Sequence, residues 1–257
     1  TDTTRFQREL TEPQDVLIEG ELQKVALVVL HRVSPRQSFA LSASCGGLTS
    51  RLADIMRRMR VISINVNGIR AAARKGFYAW LRRQRADVVC LQEIKAHTEQ
   101  LVDRVFWPPS FNCYYHPAER KGYSGVGLYC RREPDEVIES TGWAEFDAEG
   151  RWLEARFGKL SVVSLYLPSG SSSEHRQQVK FEIMERLTQR FAALRADGRE
   201  YILCGDWNIA HTKADIRNWR GNLKNSGFLP EERAWLDQLF GPMGWVDAFR
   251  VVNQQTD

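Results

Sequence analysis

Apolar runs that follow one another with no helix between them constrain this fold more than any other feature. Residues 151–157 (RWLEARF) lead almost directly into 160–167 (LSVVSLYL), which stops at Pro168-Ser169-Gly170. Further runs of strand composition occupy 61–65 (VISIN), 87–93 (DVVCLQE), 124–131 (SGVGLYCR) and 201–204 (YILC), and another is expected from Gly244 to Phe249. Helical patterns are fewer. Residues 75–84 place Phe77, Trp80 and Leu81 on one face, and 173–196 space Val179, Ile183, Leu187 and Phe191 about four apart. A last helix is expected from Pro230, where proline and the acids Glu231 and Glu232 suit a first turn. Strands outnumber helices and some are consecutive. A layered α/β arrangement is therefore favoured over strict strand–helix alternation.

The regular pattern starts near Met59, whereas residues 1–58 show weak periodicity and no chemical constellation. Two segments are expected: 1–58, an N-terminal extension that is disordered or upstream sequence, and 59–257, the folded domain in partial form. With 257 residues and 43% hydrophobic side chains, a substantial core is available. The cysteines at 45, 90, 113, 130 and 204 are odd in number and lack CxxC spacing, which argues against a disulfide framework or thiolate zinc site. No apolar run is long enough to span a bilayer, and the acids Asp2, Glu9, Glu12 and Asp15 fit no targeting leader. A cytoplasmic monomer without membrane contact is expected.

Several strands end on polar residues. Asn65-Val66-Asn67-Gly68 follows the first, Glu93 ends the second, and Tyr166 lies at the end of the fifth. In Cys204-Gly205-Asp206-Trp207-Asn208, Gly205 is expected to break the strand and leave Asp206 and Asn208 on a turn. Each has an ordinary reading alone, as turn, cap or packing residue. Together they change meaning, because a layered sheet brings strand ends to one rim. One or two carboxylates among amides and a phenol suit a hard divalent cation and a phosphate, and magnesium needs no more protein ligands than that. Two loops, 120–125 (RKGYSG) and 217–228 (RNWRGNLKNSGF), interleave cations, amides and aromatics in a way that can track a phosphate backbone. His97, His116 and His211 lie in no motif and read as surface or packing residues.

The ordered set INVNGIRA (64–71), LQEIK (91–95), KGYSGVGLY (121–129), LYLPSGSS (165–172), CGDWNIAH (204–211) and RNWRGNLKNSGF (217–228) resembles the exonuclease III family of metal-dependent abasic-site DNA endonucleases. The resemblance runs from residue 59 to about 250. It implies a four-layered α/β sandwich, two β-sheets flanked by helices, with the site at one rim. It implies magnesium, replaceable by manganese, held by Glu93 with Asn65 and Asn67 beside it. Asp206 would orient or deprotonate the attacking water, Asn208 would hold the scissile phosphate, and Tyr166 would serve that phosphate or the leaving oxygen. Arg70, Gly122, Tyr123, Asn222 and Asn225 would bind double-stranded DNA at abasic sites or 3′ ends. The implied reaction is hydrolysis of the phosphodiester 5′ to an abasic sugar, with trimming of 3′ ends.

Two departures bear on this. Family members continue beyond the position of Asp257 through further strands to an Asp-His pair, and no Ser-Asp-His occurs here. This polypeptide is therefore expected to leave a sheet edge uncovered and to be inactive or weakly active, a DNA-binding module being the alternative. The other departure is residues 1–58, which precede a natural-looking start at Met59.

Overall fold

The computed structural model describes residues 26–30 and 59–252. In chain order the strands and helices are β1 (Ala26–Leu30), β2 (Val61–Asn65), α1 (Ile69–Arg74), α2 (Phe77–Leu81), β3 (Val88–Gln92), β4 (Asn112–His116), β5 (Val126–Cys130) and β6 (Glu136–Ile138). Then follow α3 (Ala144–Ala148), β7 (Trp152–Phe157), β8 (Leu160–Tyr166), α4 (Glu174–Ala196), β9 (Glu200–Asp206), α5 (Trp219–Asn222), α6 (Pro230–Phe240), β10 (Val246–Asp247) and α7 (Ala248–Val252). The strands form two mixed sheets, a six-stranded one in the order β10-β1-β9-β8-β7-β6 and a four-stranded one in the order β2-β3-β5-β4. Each contains one parallel pair, β8 with β9 and β2 with β3.

Alternation along the strands shows how the layers stack. On β3, Val88 and Cys90 join an inner core with Leu153, Val162, Ile202 and Cys204 of the other sheet. Val89 and Leu91 face the opposite way, into a cluster with Ile69, Phe77, Trp80 and Leu81 of α1 and α2. Val163, Leu165 and Leu203 likewise meet Leu187 and Phe191 of α4 and Leu236 of α6. Helices, sheet, sheet and helices make the four layers. The same alternation carries Asn65, Tyr166 and Asp206 onto the inner faces at the carboxyl ends of both parallel pairs, where Tyr166 is opposite Asp206. A polar link crosses the gap just below: Gln92 Nε2 donates to Ser164 Oγ (3.1 Å), which donates to Leu91 O (2.9 Å).

The strand containing Asp206 differs from expectation. It does not break at Gly205 but runs through it, pairing in parallel with β8 as far as Tyr166–Asp206. A Cβ at Gly205 would lie 2.4 Å from Leu165 O, so glycine here permits close approach rather than ending the strand. The 244–249 run forms only a two-residue strand before α7. The segment read as 75–84 is a shorter helix preceded by a second one, α1. On α4 the buried stripe is Lys180, Met184, Leu187, Phe191 and Leu194, with Val179 and Ile183 only half-buried at its margin.

Within 1–58, Ala26–Leu30 forms β1 and pairs antiparallel with β9, Ala26 opposite Asp206 and Leu30 opposite Ile202. The flank of β9 away from β8 carries β1 and, beyond it, β10. Pairing satisfies the backbone groups an edge would leave open. The rest of the reading of 1–58 lies outside the described residues.

Candidate active site

Asn65, Glu93, Tyr166 and Asp206 form one hydrogen-bonded cluster between the sheets. Asn65 Nδ2 donates to Glu93 Oε1 (2.8 Å) and to Asp206 Oδ2 (2.7 Å), so a single amide holds two carboxylates together. Tyr166 donates its hydroxyl to Glu93 Oε1 at 2.9 Å. Both carboxylates are buried, at 3% and 1% exposure, which strengthens their dependence on these donors. Asn208 joins through its backbone N–H on Asp206 Oδ1 (3.0 Å), while its Nδ2 donates to Leu167 O (2.7 Å).

The cationic side of the cluster was not assigned from the sequence. Lys95 places its ammonium 2.6 Å from Glu93 Oε2 and donates to Asn67 Oδ1 at 2.6 Å. Asn65 Oδ1 accepts from Asn67 N–H at 2.9 Å, a tight turn that brings Asn67 round. Burial holds the Lys95 ammonium below its ordinary pKa. Burial also pushes the Tyr166 hydroxyl up to about 12, against the opposing pull of Arg151, so Tyr166 is a proton donor throughout the neutral range.

Backbone conformation marks the same residues. Asn67 (φ 44°), Glu93 (φ 53°), Lys95 (φ 49°) and Asn208 (φ 48°) all occupy the left-handed region. Each such residue costs about 1–3 kcal/mol and persists only where its surroundings hold it. Four together at one rim is the pattern of a site in which side-chain aim outweighs backbone comfort.

A second layer reaches Tyr123. Arg151, only 1% exposed, donates to Tyr166 O (2.9 Å) and to the Tyr123 hydroxyl (3.0 Å), and its guanidinium lies 4.8 Å from the Tyr166 ring centroid. Arg176 of α4 donates to the same hydroxyl at 2.8 Å. Glu149 accepts from both arginines; burial works to raise its pKa, but the two guanidiniums outweigh that and hold it below the ordinary range. The Tyr123 hydroxyl is thus committed within the protein, and the residue is half-buried. Arg70 and Gly122 are exposed, Asn222 Nδ2 donates to Asn218 O (2.8 Å), and Asn225 Nδ2 donates to Asn222 Oδ1 (3.0 Å). Asn225 is also exposed and Asn222 half-buried, and these hydrogen bonds join none of the four to the cluster.

No histidine among the described residues joins the cluster. His116 Nδ1 hydrogen bonds Trp152 O (2.8 Å), and His211 Nε2 lies 2.7 Å from Asp237 Oδ1. Sequence reasoning missed Lys95, Arg151, Arg176, Lys180 and Glu232. Lys180 had a signal, since it lies four residues before Met184 and in phase with the apolar stripe. Arg151 had none, because its burial depends on Tyr123 and Tyr166 arriving from distant segments.

The donor set fits a hard cation. It is all oxygen, with no thiolate or imidazole, and Glu93 Oε2 and Asn67 Oδ1 already hold a positive charge, the Lys95 ammonium, between them. No group of three or more His, Cys, Asp or Glu ligands occurs among the described residues.

Two facing mixed sheets flanked by helices, with an acid–amide–phenol centre at the ends of their parallel pairs, define a class of α/β sandwich with an oxygen-lined site. The chain belongs to the Endonuclease/Exonuclease/phosphatase family, which matches residues 62–254. It is 37% identical over 195 residues to an exodeoxyribonuclease of Bacillus subtilis, covering 76% of this chain and 75% of the relative. It is 36% identical over 197 residues to the DNA repair nuclease APEX1 of Danio rerio, covering 75% of this chain and 62% of that protein. Among solved structures, an AP endonuclease from Archaeoglobus fulgidus superposes with a TM-score of 0.66 at 24% identity, covering 74% of this chain and 72% of that one. That likeness establishes the fold.

Proposed function

We propose that this chain is a DNA-repair nuclease of the exodeoxyribonuclease III and AP-endonuclease type. It hydrolyses the phosphodiester 5′ to an abasic sugar in double-stranded DNA, with magnesium as cofactor and manganese able to replace it. The observation that carries this reading is the buried Asn65–Glu93–Tyr166–Asp206 cluster at the rim where the two sheets end. Relatives named as exodeoxyribonuclease and DNA repair nuclease support the substrate class.

Each residue has a role that its contacts allow. Glu93 and Asn67 hold the cation, with Asn65 fixing Glu93. When bound, magnesium supplies charge neutralisation at the phosphoryl oxygens and the leaving group. Asp206, oriented by Asn65 and by the Asn208 N–H, takes the proton of a water whose oxygen attacks phosphorus. The bond from phosphorus to the upstream 3′ oxygen breaks, and that oxygen, once protonated, is the 3′-hydroxyl product. Asn208 Nδ2 donates to Leu167 O and its side chain also hydrogen bonds Tyr166, so it serves a phosphoryl oxygen by turning the Tyr166-facing N–H to the substrate. Tyr166, protonated across the neutral range, donates to the phosphate or the leaving oxygen. Arg70, Gly122, Tyr123, Asn222 and Asn225 border the duplex. The same site would trim 3′ ends.

A specific observation favours a second reading, a DNA-binding module without catalysis: among the described residues no histidine stands across the site from Asp206. Incubating the chain with a duplex bearing one abasic site, with and without chelator, separates the two. Incision, even weak, that stops with chelator and falls by about 10²–10³-fold in Glu93→Gln supports the nuclease reading. Binding of the abasic duplex without any incision would favour the second reading.

A further inference from the structure

Lys180 and Glu232 form an ion pair with both side chains 0% exposed, Nζ to Oε1 at 2.5 Å. Neither has a role in the chemistry above, and a buried ion pair is weak evidence of a stabilising device, since apolar residues of similar volume often serve stability as well. What this pair touches suggests another purpose. Lys180 Nζ also donates to Asn208 O at 2.7 Å. Glu232 Oε2 accepts from the backbone N–H groups of Gly227 (2.6 Å) and Leu229 (3.0 Å), and Gln177 Nε2 donates to Oε1 at 3.2 Å.

The pair therefore spans two pieces of the proposed DNA site. On one side is the left-handed turn at Asn208, whose N–H orients Asp206. On the other is the end of the 217–228 loop. Gly227 returns the connection directly, because its carbonyl accepts from Ala210 N–H at 2.8 Å. The approach is close: Gly227 has φ +93°, and a Cβ there would lie 3.1 Å from Asn208 O. Short charge-assisted hydrogen bonds from a group anchored in α4 and another in α6 hold both segments to the same helical layer.

We infer that Lys180 and Glu232 are positioning residues, a buried strut that sets the 217–228 loop at a fixed distance from the phosphate-handling turn at Asn208. The inference rests on the function proposed above. Its consequence is that duplex engagement by the loop and alignment of the phosphate are mechanically one event. Without the strut the loop would keep its Asn218–Asn222–Asn225 hydrogen bonds, the Gly170 N–H on Ser226 Oγ and the Ala210 N–H on Gly227 O, but would lose the charged link that joins Gly227 and Leu229 to Asn208 O through α4 and α6. With the strut in place, displacement of Gly227 is transmitted to Asn208 and from there to Asp206.

The test compares wild type, Lys180→Met and the double variant Lys180→Met/Glu232→Leu. The single variant leaves a carboxylate buried without its cation and tests folding as much as position. The double variant removes both charges, so its melting temperature is expected to lie close to wild type. Despite that stability, hydrogen exchange at the Gly227 and Leu229 amides should quicken at least tenfold. In the abasic-duplex assay kcat should fall at least tenfold, with a smaller change in KM. A well-folded double variant with wild-type exchange at Gly227 and Leu229, or with those amides loosened but kcat unchanged, overturns the inference. Should wild type fail to incise, the proposed function falls on its own. The strut is then decided by amide exchange together with affinity for the same duplex, where unchanged affinity in a loosened double variant rejects it.

Discussion

Asn65 joins three residues of the site through one side chain. Its two N–H groups face Glu93 and Asp206, and its oxygen accepts from Asn67, so every polar atom of the amide is engaged. It thus holds the carboxylates in place, and its nitrogen faces them where an oxygen ligand would be needed for a metal. Asn65→Ala is expected to lower incision by about 10²-fold with little change in KM, as removal of an oriented donor from a dry site does. Steady-state kinetics on an abasic duplex checks it. Tyr166 supports a pH prediction. Its hydroxyl is raised to about 12 by burial, so it stays protonated from neutral pH to beyond pH 10. Any alkaline fall in rate below pH 10 must therefore come from another group. Tyr166→Phe should lower the whole rate profile without moving its limbs; a lost alkaline limb would refute this. Of these residues, Asn65, Asn67, Glu93, Tyr166, Asp206 and Asn208 were legible as polar ends to apolar runs. Lys95 was in view within LQEIK yet unassigned, because a lysine two residues after a glutamate says nothing by itself about which oxygen it reaches.

At the scale of elements, the parallel pairing of β8 with β9 decides where Asp206 stands. Gly205 faces Leu165 O so closely that a methyl group would meet it at 2.4 Å. Gly205→Ala should destabilise the fold by about 1–3 kcal/mol, the usual cost of forcing atoms into a packed position. Because the displaced strand carries Asp206, incision should fall as well. Denaturant unfolding and the incision assay measure the two effects, and unchanged stability would show that the strands separate without cost. The sequence suggested that Gly205 ended the strand, since glycine is a breaker when judged alone. Pairing with β8 reverses that, because neighbouring backbone supplies the hydrogen bonds that isolated propensity ignores. The helix 173–196 was read almost to its limits, Ser173 accepting from Arg176 N–H as its cap. Its buried stripe was misread by about one residue, because Lys180 was excluded from an apolar face on which a buried partner, Glu232, permits it.

For the molecule as a whole, buried phenols and thiols set an alkaline limit. Burial raises Tyr78 and Tyr166 from 10.0 to about 12, and Cys113 and Cys130 from 9.0 to about 12. Between about pH 9 and 12 the unfolded chain releases these protons while the folded chain keeps them. The folded state then binds more protons, and stability falls as pH rises through that window. Melting temperatures measured from pH 8 to 11 should decline steadily above about pH 9; a flat profile would contradict the burial of these groups. The sequence by itself determined the layered α/β class, the positions of most strands, and the acids, amides and phenol that end them. Those properties are local: alternation, turn chemistry and residue type are written in neighbouring positions. Only the tertiary structure decided that Asn65 bridges Glu93 to Asp206, that Arg151 backs Tyr166, that β1 lies against β9, and that Lys180 belongs with Glu232. Each of those depends on segments distant along the chain meeting at low dielectric, where one hydrogen-bond partner fixes what an otherwise costly buried group can do.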